Sequence, residues 1–237
     1  MNKAAVIGLI GGMSWESSAE YYRIINRAVR ERLGAAHSAR ILMWSVDFEL
    51  IERLQHQGDW TALAEQMAEG ARRLENGGAD FLVLCTNTMH RLASDIARAV
   101  SIPLLHIADP TGEAAVAAGI KRVGLLGTRF TMEQAFYKDR LTERFDLDVV
   151  VPNETDRTTV HDIIYGELIS GIVSEASRQA YRAVIARLVE DGAEGIILGC
   201  TEIMLLVGPE DSAAPIFDTT TLHALAAVDR SLEHARQ

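Results

Sequence analysis

The two cysteines are the residues of this chain whose type and setting best suit chemistry. They are the only cysteines in 237 residues, and each stands where an apolar, strand-like run ends and a threonine follows. Cys85 lies in FLVLCTNTMH and Cys200 lies in EGIILGCTEI. A lone cysteine at a strand end behaves as a small buried hydrophobe. Two cysteines in the same setting indicate a functional pair.

Neither a disulfide nor a metal site explains the pair well. Nothing in the sequence indicates secretion, so free thiols are expected. A structural zinc ion needs four ligands, and Cys85 with His90 supplies only a C-x4-H pair, without any CxxC or HxxxH pattern. We therefore expect no metal. His90 is either an ordinary residue of a first helical turn or a group that polarises the site.

Acid–base chemistry uses both thiols. A thiol at a helix start is expected to have a lowered pKa, which gives a thiolate near neutral pH. One thiolate can remove a proton from a carbon while a thiol on the opposite side returns a proton to the other face, and the carbon is inverted. The sulfurs would then stand roughly 7 Å apart, too far for a disulfide. Matched, unbonded thiols are what a two-base racemase requires.

The elements that must position these cysteines alternate along the chain. Apolar runs of strand length are separated by amphipathic stretches with helical spacing, which predicts an α/β fold with parallel sheets. The expected strands are Ala4–Ile10, Ile41–Val46, Phe81–Leu84, Leu104–Ile107, Arg122–Leu126, Leu147–Val151, Ile196–Leu198 and Pro215–Phe217.

An internal repeat indicates two similar, pseudo-symmetric lobes. VIGLIGG resembles RVGLLGT, and GADFLVLCT resembles GAEGIILGCT. Gly11 and Gly127 are 116 residues apart, and the two cysteines are 115 apart. A nearly constant offset predicts a duplicated half, each half a parallel sheet flanked by helices. Ligands of such sheets bind beyond the carboxyl ends of the strands, so we expect an active site in the cleft between the lobes.

Polar and small residues surround the cysteines in sequence. Asn87, Thr88 and Thr201 supply hydroxyl, amide and backbone N–H groups that suit a carboxylate, although helix capping is an equal alternative for each. The glycine run before Met13 lacks the GxGxxG spacing of a dinucleotide fold and has no GK[ST] sequence. It fits either a tight turn or a close backbone approach to a small ligand. Ser17 and Glu20 resemble a capping box that would start the first helix.

Composition limits the class of partner. The formal charge of −10 and the pI of about 5.2 disfavour nucleic acid and anionic membranes, which need clustered Lys and Arg. No apolar run reaches 18 residues, and the start of the chain does not resemble a secretory signal. We expect a cytoplasmic protein with a small-molecule ligand, no nucleic acid and no membrane contact.

The motifs GLIGGMSWES, SVDF, VLCTNTMH, LHIAD, LLGTRFTM and ILGCTEI together resemble the aspartate/glutamate racemase superfamily, whose members work without pyridoxal phosphate. The resemblance is strongest to the bacterial aspartate racemase-like branch that includes a broad-specificity amino acid racemase. It implies an amino acid substrate, no cofactor, a homodimer, one lobe of residues 1–115 plus 210–237 and a second of 116–209. It also implies that Cys85 and Cys200 are the bases. The residues that the resemblance places in the carboxylate and amino pocket are Met13, Thr86, Asn87, Thr88, Thr128 and Thr201.

Two departures leave the substrate and the reaction open. Dedicated glutamate racemases resemble DSGxGG and GCTHYP, where this chain has LIGGMS and GCTEIM. Strict aspartate racemases resemble NPQIPDRT, where this chain has SVDFELIER, so their side-chain arginine has no match; Arg53 is either a substitute or a surface residue. The alternatives are a hydantoin racemase, a maleate isomerase-like enzyme, and a non-catalytic protein that binds a small ligand.

Overall fold

The computed structural model describes residues 4–233 and divides the chain into two compact units. Unit 1 contains the chain up to His106 and again from His223 onward, and unit 2 is the continuous segment Ile107–Leu222. Each unit has its own apolar clusters on both faces of its sheet. None of the helices among the described residues is long and apolar enough to cross a membrane.

Each unit contains one four-stranded parallel sheet, and all eight expected strands are present. The order is β2-β1-β3-β4 in unit 1 and β6-β5-β7-β8 in unit 2. The central strands are short and fully buried, as continuous apolar runs in parallel sheets usually are. The strands are β1 Ile7–Gly11, β2 Ile41–Ser45, β3 Phe81–Leu84, β4 Leu104–Leu105, β5 Arg122–Gly127, β6 Asp148–Val150, β7 Gly195–Gly199 and β8 Ile216–Asp218.

Ten α-helices cover the sheets of the described residues. They are α1 Trp15–Leu33, α2 Phe48–Gln57, α3 Trp60–Asn76, α4 Ala93–Ala99, α5 Ala108–Ala117, α6 Arg129–Glu133, α7 Ala135–Phe145, α8 Glu154–Gly166, α9 Glu175–Glu190 and α10 Thr219–Glu233. The expected capping box of α1 is wrong. The helix begins three residues earlier, because the Ser14 hydroxyl, not that of Ser17, accepts a hydrogen bond from a first-turn amide.

The two sheets are topologically equivalent, which confirms the predicted pair of similar α/β halves. β1 and β3 are neighbours in unit 1, and β5 and β7 hold the same places in unit 2. Each cysteine follows the third strand of its unit, so Cys85 and Cys200 leave their sheets at equivalent positions.

The first crossing of the chain lies earlier than the expected boundary at residues 115 and 116. α5 follows a strand of unit 1 but packs within unit 2. Asp109 forms a bidentate ion pair with Arg140 of α7, at 2.6 and 2.8 Å, and Gly112 leaves room for the ring of Phe145, which a Cβ atom would meet at 2.3 Å. These side-chain contacts make α5 part of unit 2.

The second crossing lies later than the expected boundary at residues 209 and 210. β8 pairs with β7, with Phe217 opposite Ile197, so the last strand belongs to the sheet of unit 2. Only α10 returns. Its residues Ala224, Ala227 and Val228 are buried in the core of unit 1.

Candidate active site

The Cys85 turn, which we define as residues 85–89, leaves the carboxyl end of β3. Its first residue still bonds to the neighbouring strand, because the Cys85 amide donates to the carbonyl of Ile10 at 2.9 Å. The chain then enters a short 3-10 helix, Thr88–Leu92. The predicted pocket residues Thr86, Asn87 and Thr88 are all buried in this turn.

The Cys85 thiol is fully buried in apolar surroundings. It belongs to the core cluster that α1 and α10 form with one face of the sheet, and its sulfur lies 4.0 Å from the Val83 carbonyl oxygen. Burial raises the pKa of Cys85 far above its ordinary value. The expectation of a lowered pKa was wrong, because the thiol is buried among apolar side chains, which disfavour the charged thiolate.

Met13 lies at the same edge of unit 1, beyond β1. It packs with Ile10 and Leu84 in the cluster on the opposite face of the sheet from the Cys85 side chain. Gly12 makes this turn possible, since its φ of +91° disfavours other residues and a Cβ atom there would stand 2.3 Å from the Val46 carbonyl oxygen.

The Cys200 turn, which we define as residues 200–205, leaves β7 in the equivalent place. Gly127 and Gly199 lie opposite each other at the ends of β5 and β7, where a Cβ on either glycine would approach the other strand's backbone to 2.7 Å. Thr128 follows directly and caps α6, because its hydroxyl accepts a hydrogen bond from the Thr131 amide at 3.3 Å. Thr128 and Cys200 therefore follow adjacent strands.

Glu202 distinguishes this second turn from the first. Its side chain is buried, and one carboxylate oxygen, Oε2, accepts hydrogen bonds from the Cys200 thiol at 3.0 Å and from the Thr201 hydroxyl at 2.9 Å. The carboxylate fixes the direction of the S–H bond and takes up the hydroxyl that the sequence had assigned to substrate.

The pKa of Cys200 is raised well above its ordinary value, first by burial and second by the negative charge of Glu202. Both thiols are therefore protonated at neutral pH in this structure. Acid–base chemistry by this pair would need an additional influence that creates the thiolate at one of them.

Three histidines and a tyrosine form a buried cluster behind the Cys85 turn. His90 donates from Nδ1 to the Thr86 carbonyl oxygen at 2.7 Å, and its ring centroid lies 4.4 Å from that of His106 and 5.9 Å from that of His223. Tyr21 and Nδ1 of His223 are hydrogen bonded at 2.9 Å. All four side chains are buried.

Other candidates from the sequence have no place in these turns. Arg53 lies on α2, more than half exposed, with its guanidinium 3.8 Å from the Glu49 carboxylate in an ordinary helix pair. Within residues 4–233, no group of three or more His, Cys, Asp or Glu side chains is arranged to hold a metal ion.

The sequence analysis missed Glu202 and two of the histidines. A signal for Glu202 existed, because it stands two residues after Cys200, where the other repeat has Asn87 two residues after Cys85. His106 and His223 are 117 residues apart and carry no common motif, so only the fold brings them to His90.

The model of the protein family described as Asp/Glu/Hydantoin racemase matches residues 10–227 of this chain. A Bacillus subtilis (strain 168) relative, the broad specificity amino-acid racemase RacX, is 24% identical over 97% of this chain and 99% of its own.

Two solved structures are similar over nearly the whole chain. A presumed Asp/Glu racemase from Yersinia pestis is 54% identical with a TM-score of 0.89, covering 96% of this chain and 99% of that one. An aspartate racemase homologue from Pyrococcus horikoshii OT3 is 30% identical with a TM-score of 0.82, covering 98% and 100%.

Proposed function

Because the chain belongs to the Asp/Glu/hydantoin racemase family and its relatives are amino acid racemases, we propose that it inverts the Cα carbon of an amino acid with Cys85 and Cys200 as the two bases. The observation that carries the proposal is the equivalent position of the two free thiols, one beyond the third strand of each sheet. A two-base inversion needs one thiol at each face of the carbon.

The proposed reaction transfers protons only. One cysteine, as thiolate, takes the Cα proton and leaves a carbanion that the substrate carboxylate delocalises. The other cysteine, as thiol, gives its proton to the opposite face, so the first ends as thiol and the second as thiolate. The positive charge of the substrate's ammonium group favours the thiolate that burial disfavours. No cofactor is needed to carry the electrons.

The remaining polar residues support substrate binding in this proposal. Hydrogen-bond donors aimed at the substrate carboxylate would stabilise the charge that develops as the proton leaves. Asn87, Thr88 and Thr128 are the candidates. Thr201 contributes less directly, since its hydroxyl donates to Glu202. Met13 contributes apolar surface near the Gly12 turn.

Solvent deuterium exchange at Cα tests the function. Wild type, Cys85→Ala and Cys200→Ala are incubated in D2O with each enantiomer of aspartate, glutamate, homoserine, alanine and methionine, and exchange and inversion are followed by NMR. Wild type should exchange and invert at least one substrate. Each alanine variant should lose inversion by at least about 10²-fold, the usual worth of one acid–base group. Full inversion by either variant would exclude the two-base proposal.

Three further measurements separate the alternatives: inversion of hydantoins, mass spectrometry of the protein and thermal stability with ligand. A protein that inverts hydantoins but no amino acid would be a hydantoin racemase. A maleate isomerase-like enzyme would use one thiolate as a nucleophile, and mass spectrometry would show a covalent adduct on one cysteine. Thermal stabilisation by an amino acid without any exchange would indicate a binding protein. The proposed enzyme is a cytoplasmic homodimer, which fractionation and light scattering would test.

A further inference from the structure

The buried histidine cluster has no part in the two-base reaction as described. His90 is the member that touches the Cys85 turn, and it does so twice: Nδ1 donates to the Thr86 carbonyl oxygen at 2.7 Å, and the backbone amide donates to the Asn87 carbonyl oxygen at 3.0 Å. The turn that carries the thiol is thus tied to one residue through two successive carbonyl groups.

For His90 and His223, the hydrogen bonds define which ring nitrogen carries a proton. A carbonyl oxygen only accepts, so His90 carries a proton on Nδ1. For the same reason His223 carries one on Nε2, which donates to the Leu105 carbonyl oxygen at 2.9 Å. In the neutral His223 ring, Nδ1 accepts from the hydroxyl of Tyr21. These bonds hold the His223 ring at a fixed angle.

The cluster links His90 to both points where the chain passes between the units. His106 is the last residue of unit 1 before the first crossing, and His223 is the first residue after the second. Their rings pack against the His90 ring with centroids 4.4 and 5.9 Å away, and His223 also bonds to the backbone just before His106. The ring of His90 is therefore held on two sides.

We propose that His90 is the positioning residue of the Cys85 turn, and that His106 and His223 hold its ring in the orientation that bonds Thr86. The proposal rests on the two-cysteine function. Replacing the His90 donor leaves a buried carbonyl unsatisfied, and the turn relaxes to recover a partner. A thiol displaced by about 1 Å can lose roughly 10²-fold in rate, so the effect should fall on Cys85 and not on Cys200.

The test compares His90→Leu with His90→Asn. Leucine supplies an apolar side chain of similar length that has no hydrogen-bond donor. Asparagine places an N–H donor at the position of Nδ1 and should restore the bond to Thr86. Ser231→Ala is the matched control, since it also removes a buried donor to a backbone carbonyl of unit 1, that of Ala5, at 2.7 Å.

Deuterium exchange into each enantiomer separately is the readout. Inversion itself must slow equally in both directions, because the equilibrium constant of a racemisation is 1. Exchange without inversion measures how fast each thiol removes the Cα proton of its own enantiomer. The enantiomer whose exchange is lost in Cys85→Ala is the one that Cys85 deprotonates. His90→Leu should slow exchange of that enantiomer at least tenfold more than exchange of the other. In His90→Asn, both exchange rates should stay within threefold of the wild-type rates. In Ser231→Ala, the exchange rates of the two enantiomers should change by the same factor.

Alkylation provides a readout that does not depend on catalysis. Peptide mapping after iodoacetamide treatment should show faster modification of Cys85 in His90→Leu than in wild type or His90→Asn, with Cys200 unchanged. Equal slowing of both enantiomers, equal loss in the two His90 variants, or an unchanged alkylation rate of Cys85 would overturn the positioning role. Absence of exchange in wild type would instead reject the function, and alkylation would still decide the role of His90.

Discussion

The Cys85 turn and the Cys200 turn leave equivalent strands of two equivalent sheets, but the two sulfurs have different neighbours. The Cys85 thiol lies among apolar side chains, and its turn is held from behind by His90. The Cys200 thiol donates to a buried carboxylate, that of Glu202. The two groups are both thiols, but the structure holds them differently: Cys85 through the backbone of its turn, and Cys200 through a direct hydrogen bond to its sulfur.

Of the variants predicted below, Glu202→Gln should have the largest effect, because it changes the group that bonds to Cys200 and has no counterpart beside Cys85. The amide keeps the shape but removes the charge that helps to raise the pKa of Cys200 and aligns its S–H bond. We expect racemisation to fall about 10²-fold. The apparent alkaline pKa of the Cys200-dependent exchange should also move down. Rate–pH profiles for each enantiomer test both points.

The exposed Glu190→Gln serves as the control for Glu202→Gln. It lies at the last position of α9 in the same unit and should change neither profile. An unchanged pH profile in Glu202→Gln would mean that the carboxylate does not govern the acidity of Cys200.

The turns before the cysteines allow a second comparison between the units. Gly12 and Thr128 both follow the residue that ends the first central strand, and only Gly12 has a positive φ. Gly12→Ala should lower the free energy of unfolding by about 3 kcal/mol. Alanine disfavours the positive φ of this position, and its Cβ atom would also collide with the Val46 carbonyl oxygen. Thr128→Ala should cost about 1 kcal/mol, the usual value of an N-cap.

Urea denaturation of the two variants measures both values. Similar losses for Gly12→Ala and Thr128→Ala would show that the two turns are under the same constraint and would weaken the contrast between the units.

Alkaline pH should reveal what the two thiols share. Burial raises the pKa of both in the folded protein, so each contributes stability that is complete below its unfolded pKa of about 8.5 and is lost as pH rises. Above that pH, the unfolded chain releases protons that the folded chain retains. Each thiol should therefore lower the free energy of unfolding by up to about 1.4 kcal/mol per pH unit.

Denaturation curves between pH 8 and 10 test this for wild type, Cys85→Ala and Cys200→Ala. Each variant should show a shallower decline with pH than wild type, whatever its stability at pH 7. A variant with the wild-type slope would mean that its missing thiol had an ordinary pKa.

The smallest expected effect concerns substrate choice in unit 2. Arg129 is exposed and follows Thr128 directly; Nη2 donates to the Thr158 hydroxyl at 2.9 Å, and no carboxylate of the described residues lies within ion-pairing distance. An acidic substrate side chain would supply that carboxylate. Arg129→Met should raise KM for aspartate and glutamate about three- to tenfold and leave alanine unchanged, as steady-state assays would show.

Most of the fold was predictable from the sequence, because buried parallel strands are continuous apolar runs and the repeat marked equivalent positions. The cysteine pair was predictable for the same reason. The unit boundaries were not, since the place of α5 depends on the ion pair between Asp109 and Arg140, which lie 31 residues apart. The acidity of the thiols was not predictable either, because it depends on burial and on Glu202, and helix position in the sequence indicates neither.

The return of α10 has a consequence for how the chain is made. Unit 2 is one continuous segment, so all of its residues have been synthesised before His223 is added. Unit 1 begins first but remains open until α10 supplies Ala224, Ala227 and Val228 to its core. The hydrogen bonds between Ser231 and Ala5 also form at that stage. On the ribosome, the half that starts the protein is therefore the half that is finished last.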